Sequence, residues 1–204
     1  MAQDRLPRDP DATRQRILHA AFAEFYRNGY QGGSLNRIVQ EAGGTKGALF
    51  HHFAGKEPLG HAVVDEIIGP LLVQRWLAPL DGADDPISAI QQAFRRFIGE
   101  DIASGHFTLG CPLNNLAQEM SPLDDAFRTR IEGLYRRWRE AVAAALAAGM
   151  ERGTVRPNVA PDEVAALVVA AQMGIWGTGK QSQDAALMGQ AGEAVCHWLE
   201  SLRA

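Results

Sequence analysis

Between Ser34 and Phe53 the chain reads SLNRIVQEAGGTKGALFHHF, two short helical segments broken by adjacent glycines. Leu35, Ile38, Val39 and Ala42 sit at offsets 0, 3, 4 and 7, one continuous apolar helix face behind the N-cap residue Ser34. Gly43-Gly44 ends that helix, and Thr45 can cap a very short one running to about Phe53. Upstream, Ile17, Ala21 and Phe25 repeat every four residues and Leu18 and Phe22 widen the stripe. With Gly29 as a left-handed stop, this predicts a helix from about Thr13 to Asn28, with Tyr30 packing back on it. Pro58 then falls in the first turn of a fourth helix, where a missing N–H is harmless.

The rest of the chain is helical in pattern too, since no segment alternates apolar and polar residues with β-branched enrichment. Turn chemistry marks boundaries at Pro79 to Pro86, Gly110 to Pro112, Ser121-Pro122 and Gly153 to Pro161. The longest predicted helix, about Pro122 to Arg152, opens on Asp124 and Asp125 and closes on Arg152-Gly153, matching the helix dipole at both ends. The last two are expected at about Pro161 to Gly179 and Asp184 to Leu202.

Apolar runs such as Ala165 to Ala171 break well before the ~20 positions a membrane span needs, so none is expected. The opening MAQDRLPRDPDATR lacks the apolar stretch of a signal peptide, which points to the cytoplasm and to reduced thiols at Cys111 and Cys196. The net charge of -4 hides an asymmetry: residues 1–60 carry eight Lys/Arg against six Asp/Glu, which leaves -6 on the remainder. A locally basic N-terminal module on an acidic body follows.

Three chemistries compete for the glycine-rich corner. A phosphate loop needs GxxxxGK[ST] after a buried strand, and Gly43-Gly44-Thr45-Lys46 has neither the spacing nor the strand. A metal site on one helix needs ligands three or four residues apart, whereas His51 and His52 are adjacent and point ~100° apart; no metal and no cofactor is expected. Helix, glycine turn and short second helix is the helix-turn-helix pattern, whose second helix meets base edges in the major groove. Thr45 and Lys46 then project from the start of the recognition helix, and Gly47 keeps it slim against the groove. Leu49 can touch a thymine methyl, and His51 or His52 can bond to phosphate or a base edge. Ser34 and Lys56 would hold the DNA backbone on either side, and Arg37 is a further DNA-binding candidate.

The run TRQRILHAAFAEFYRNGYQGGSLNRIVQEAGGTKGALFHHFAGKEPL resembles the DNA-binding domain of TetR/AcrR-family transcriptional regulators. The resemblance implies that Thr45, Lys46, Leu49 and Phe50-His51-His52 face an operator, that Ser34 and Lys56 grip phosphates, and that Phe53 packs in the core. Gly44 departs from the small apolar residue usual in the family, and Phe50 from tyrosine. An extra glycine at the helix start would cost about 1 kcal/mol relative to alanine, and a lost hydroxyl removes one phosphate contact. The expected fold is all-α: an N-terminal three-helix helix-turn-helix domain over residues 1–57, with the motif at about 34–53, and a larger helical-bundle domain over residues 58–204 for effector binding and dimerisation.

The same resemblance implies a homodimer on palindromic double-stranded operator DNA and a small-molecule effector, of unknown identity, that releases a repressor. The two recognition helices must sit ~34–36 Å apart to enter successive major grooves, so a ligand favouring another spacing lowers affinity. Ala166, Val169, Ala170 and Met173, with Val195, Trp198, Leu199 and Leu202, are the expected dimer face. The segment HFTLGCPLNNLAQEM resembles a branch of the family with a cysteine at the effector cavity. Cys111, Asn114, Asn115, Phe94, Phe107, Trp138 and Trp176 are therefore the candidate ligand residues. Pro112 puts Cys111 near an N-cap, where the dipole lowers a thiol's pKa and would suit it to electrophile sensing; the alternative is an inert packed thiol. Catalysis is not expected, because Cys111 and His106 lack an orienting partner beyond Asn114. The competing function is an architectural DNA-binding protein with no effector.

Overall fold

The computed structural model describes residues 10–204; Arg5, Arg8 and the start of the stretch that argues against a signal peptide lie outside the described residues. No strand forms among the described residues, apart from an isolated antiparallel bridge between Val155 and Arg203. Packing divides the chain into two compact units, the first running to Ile68 and including Asn115–Arg130, the second made of Gly69–Asn114 and Ile131–Ala204.

The first unit holds α1 (Pro10–Asn28), α2 (Leu35–Glu41), α3 (Lys46–His52), α4 (Lys56–Val63) and a π-helical turn at Val64–Ile68. Ile17, Leu18, Ala21 and Phe25 of α1 are buried with Ile38, Ala42, Leu49, Phe53 and Leu59. Each large apolar side chain withdrawn from water in this way stabilises the unit by about 1.5–3 kcal/mol. The C-terminal part of α7 (Pro112–Met120) and the first turns of α8 (Asp125–Glu151) complete the unit. Phe127 packs edge-on to Tyr30 at 4.8 Å and to His61 at 4.6 Å. Gly60 is required there, because a Cβ would meet the Tyr30 and Phe127 rings at 2.6 and 2.7 Å. Asp124 precedes α8 and caps it, its Oδ1 accepting from the N–H groups of Ala126 and Phe127 at 2.8 and 2.9 Å.

The second unit begins with α5 (Gly69–Leu72), continues through a π-helical segment (Val73–Leu77) and a 3-10 turn (Ala78–Leu80), and contains α6 (Pro86–Ser104), α9 (Pro161–Ser182) and α10 (Ala185–Glu200) with most of α8. Its centre is aromatic: Trp76 lies 5.2 Å from Phe94, 4.9 Å from Trp138 and 5.7 Å from Trp176. Buried Asp101 accepts from Trp176 Nε1 at 2.6 Å and from Arg75 Nη2 at 2.7 Å, so this carboxylate in an apolar surround is paired. No helix among the described residues is long and apolar enough to cross a membrane.

Candidate nucleic-acid interface and effector site

The corner between α2 and α3 is a Schellman turn. Gly44 N donates to Val39 O at 3.0 Å and Gly43 N to Gln40 O at 3.1 Å, with Gly43 in the left-handed region at φ 61°. Thr45 then caps α3, its hydroxyl accepting from Ala48 N at 3.1 Å. Gly44 is therefore the residue after the left-handed glycine, outside α3. The cost expected from a glycine at the helix start is corrected: what Gly44 lacks is the apolar contact such a turn usually makes with the position of Val39.

Thr45, Lys46 and Gly47 are exposed at the start of α3, His51 is exposed, His52 is half-buried, and Phe50 is 53% exposed despite its size. Lys46, Gly47, Phe50 and His51 share one open face of α3, with Thr45 and His52 at the two ends of the helix. Leu49 does not belong to it. It is 0% exposed, and the expectation that it reaches a thymine methyl is corrected: position 49 faces the α1 side of a seven-residue helix that must bury one residue to dock at all.

The three flanking candidates are each engaged within the unit. Ser34 caps α2 at the long distance of 3.5 Å from Arg37 N. Arg37 Nε donates to Glu24 at 2.8 Å and Arg37 Nη2 to Gly32 O at 2.9 Å. Glu24 is only 3% exposed and also accepts from Ser34 N and Asn28 Nδ2, and the Arg37 guanidinium holds its carboxyl below the usual range, with burial opposing. Lys56 Nζ donates to Gln31 O at 3.0 Å and sits over the Tyr30 ring, with its pKa lowered by burial. Glu24 and Glu119 pin the loop between α1 and α2, and nothing in the local pattern of either residue signals that role.

In the second unit, Phe94, Trp138 and Trp176 lie inside the packed aromatic centre, and Phe107 is half-buried in a 3-10 turn (His106–Thr108). Cys111 and Asn114 stand at the start of α7 in this unit, while Asn115 belongs to the first. The Cys111 thiol is pushed up by burial, against hydrogen bonds from the backbone of Asn114 and Leu113 and from the Gln172 side chain. The expected lowering by the helix start is therefore corrected; desolvation of the charged form outweighs the N–H groups. Around this sulfur three buried atoms have no partner among the described residues: Asn114 Oδ1, Gln172 Oε1 and Tyr135 Oη. Burial pushes the Tyr135 phenol up. Gln172 and Tyr135 were missed by the sequence reading because a glutamine and a tyrosine on long helices give no local sign of burial. A separate apolar groove of about 520 Å³ is lined by Val73, Leu77, Leu80, Ala141, Ala144, Ala145, Ala148 and Arg152, none of them predicted.

On α9 and α10 the expected dimer residues separate. Ala166 and Ala170 are exposed and Met173, Val195 and Trp198 are half-buried, whereas Val169, Leu199 and Leu202 are buried. The last three are corrected: they fill the core of their own chain. Leu167, 50% exposed, and Leu187, 41% exposed, stand on the open faces instead.

Two family descriptions match the sequence: "Bacterial regulatory proteins, tetR family" over residues 17–63 and "Tetracyclin repressor-like, C-terminal domain" over residues 86–195. The transcriptional repressor DhaR of a Mycobacterium species is 29% identical over 163 residues, 79% of each chain. The regulator YxaF of Bacillus subtilis is 32% identical over 142 residues, 69% of this chain and 72% of its own. The A-factor receptor protein of Streptomyces griseus is 30% identical over 191 residues, 91% of this chain and 62% of its own. A regulator from Chloroflexus aurantiacus shares the fold at TM-score 0.81 and 24% identity, covering 95% of this chain and 97% of that one. The chain belongs to the TetR family of transcriptional regulators.

Proposed function

We propose that this regulator is a homodimeric repressor that leaves a palindromic operator when a small molecule enters its second unit. DNA reading is assigned to residues 1–57, through Thr45, Lys46, Gly47, Phe50, His51 and His52, and effector binding and dimerisation to residues 58–204. The observation that carries the effector reading is the set of three unpartnered polar atoms around Cys111, since buried polar groups ordinarily have partners and a ligand supplies them. Asn114 and Gln172 offer carbonyl oxygens and Tyr135 a hydroxyl, which suits a small ligand with hydrogen-bond donors. A relative named as a receptor and another named as a repressor support the reading. Dimerisation is assigned to the open faces of α9 and α10, where Ala166 and Ala170 permit close helix approach and Leu167 and Leu187 supply apolar area.

The test begins with operator selection from randomised DNA, followed by screening of small polar organics for release of the complex, with Gln172→Leu as control. An effector that releases the wild type and not the variant supports the reading. DNA affinity indifferent to every compound, with a Gln172→Leu variant more stable than the wild type, favours the effector-independent architectural protein. Sedimentation at micromolar concentration checks the dimer, and a clean monomer would sink the two-headed model.

A further inference from the structure

The first unit carries a side-chain cluster that DNA reading does not use. Glu57 and His61 stand one turn apart on α4, at positions i and i+4 that share a helix face, and Asp124 caps α8 beside them. One ligand atom from each of the three lies within 4.8 Å of the others. Ligands of one ion with bonds of ~2.1 Å stand at most ~4.2 Å apart, so small side-chain rotations close the site.

Independent observations point to an occupant. His61 Nε2 is buried and has no hydrogen-bond partner among the described residues, a cost that coordination removes. The His61 ring is held edge-on against Phe127, which fixes its plane. Asp124 uses Oδ1 for its two cap bonds, and among the described residues Oδ2 takes none. Among the described residues neither carboxylate has an ion pair, and the adjacent Lys56 is directed to Gln31 O and the Tyr30 ring.

We propose that Glu57, His61 and Asp124 bind one divalent transition-metal ion of the Zn²⁺ class, tying α4 to the start of α8. An imidazole nitrogen selects Zn²⁺, Co²⁺ or Ni²⁺ over Mg²⁺ and Ca²⁺, while two carboxylates balance the dication. Three protein ligands leave a position for water. The dipole of α8 opposes the ion with the equivalent of only about half a charge. The local pattern hides this site: the absence of a metal is expected from the adjacency of His51 and His52, which says nothing of Asp124 on a distant helix.

Metal-free, tag-free protein is titrated with Co²⁺ by visible absorption and with Zn²⁺ by calorimetry. One ion per chain is expected, with a raised melting temperature and binding at least about tenfold weaker in Glu57→Gln, His61→Gln and Asp124→Asn. Glu57 is exposed and asparagine caps helices as aspartate does, so these two variants keep the fold, which circular dichroism checks. Absence of saturable 1:1 binding, or equal affinity in wild type, Glu57→Gln and Asp124→Asn, overturns the proposal.

Discussion

Glu119 Oε2 accepts the backbone N–H of Tyr30 at 2.8 Å, and Oε1 of the same carboxylate accepts that of Gln31 at 2.7 Å. Charge-assisted bonds to a loop whose N–H groups have no helix to join are stronger than neutral ones. Glu119→Ala is expected to destabilise the protein by about 1–3 kcal/mol, read as a lower denaturant midpoint at constant slope. Glu119→Gln, which keeps one acceptor oxygen, should lose less. An unchanged midpoint in the alanine variant would mean that Glu24 alone holds the loop.

Gly44 presents a position where a side chain has room. A Cβ there would meet only Val39 O at 3.9 Å, and its φ is not left-handed. Gly44→Val should therefore stabilise the protein by roughly 0.4–1 kcal/mol, through a less flexible unfolded chain and a restored contact at the turn. Thermal unfolding checks this. Destabilisation would show that the corner needs both glycines.

Lys46 and Leu49 lie three residues apart on α3 and should fail in different ways. Lys46→Ala is expected to weaken operator binding by about 1–3 kcal/mol if it reads a base, or to flatten the salt slope by about one if it meets phosphate. Leu49→Ala should cost about 2–5 kcal/mol of fold stability while leaving the preferred operator sequence unchanged at a temperature where it remains folded. Anisotropy titrations over several salt concentrations separate the two, and a change of base preference in Leu49→Ala would return that residue to the groove.

Cys111 is expected to be a slow nucleophile. Because burial raises its pKa above the ordinary 9.0, the reactive thiolate is scarcer at neutral pH than in a free thiol, and alkylation should accelerate only as pH rises through the elevated value. Mass-spectrometric rates with iodoacetamide across pH 7 to about 10 test the sign. Alkylation at pH 7 faster than that of free cysteine, with DNA release by a quinone that Cys111→Ser abolishes, would restore electrophile sensing.

The helical periods of Ile17, Ala21 and Phe25 and of Leu35, Ile38 and Val39, the Ser34 and Thr45 caps and the Gly43 stop were legible because each acts over one or two turns. So were the exposed Thr45, Lys46 and His51, which follow from starting a short helix after a glycine corner. The direction of Leu49 was not, since a seven-residue helix with Leu49 and Phe50 adjacent can bury either, and only its docking on α1 chooses.

The sequence by itself determined that this chain is helical, where most helices begin and end, and that its N-terminal corner has the helix-turn-helix pattern, because capping, periodicity and turn chemistry are local energies. Tertiary structure decided which apolar residues of α9 and α10 are core and which are free, that burial outweighs the helix start at Cys111, and that Glu119 and Asp124 return to the N-terminal helices. Those outcomes depend on desolvation and on partners from distant parts of the chain.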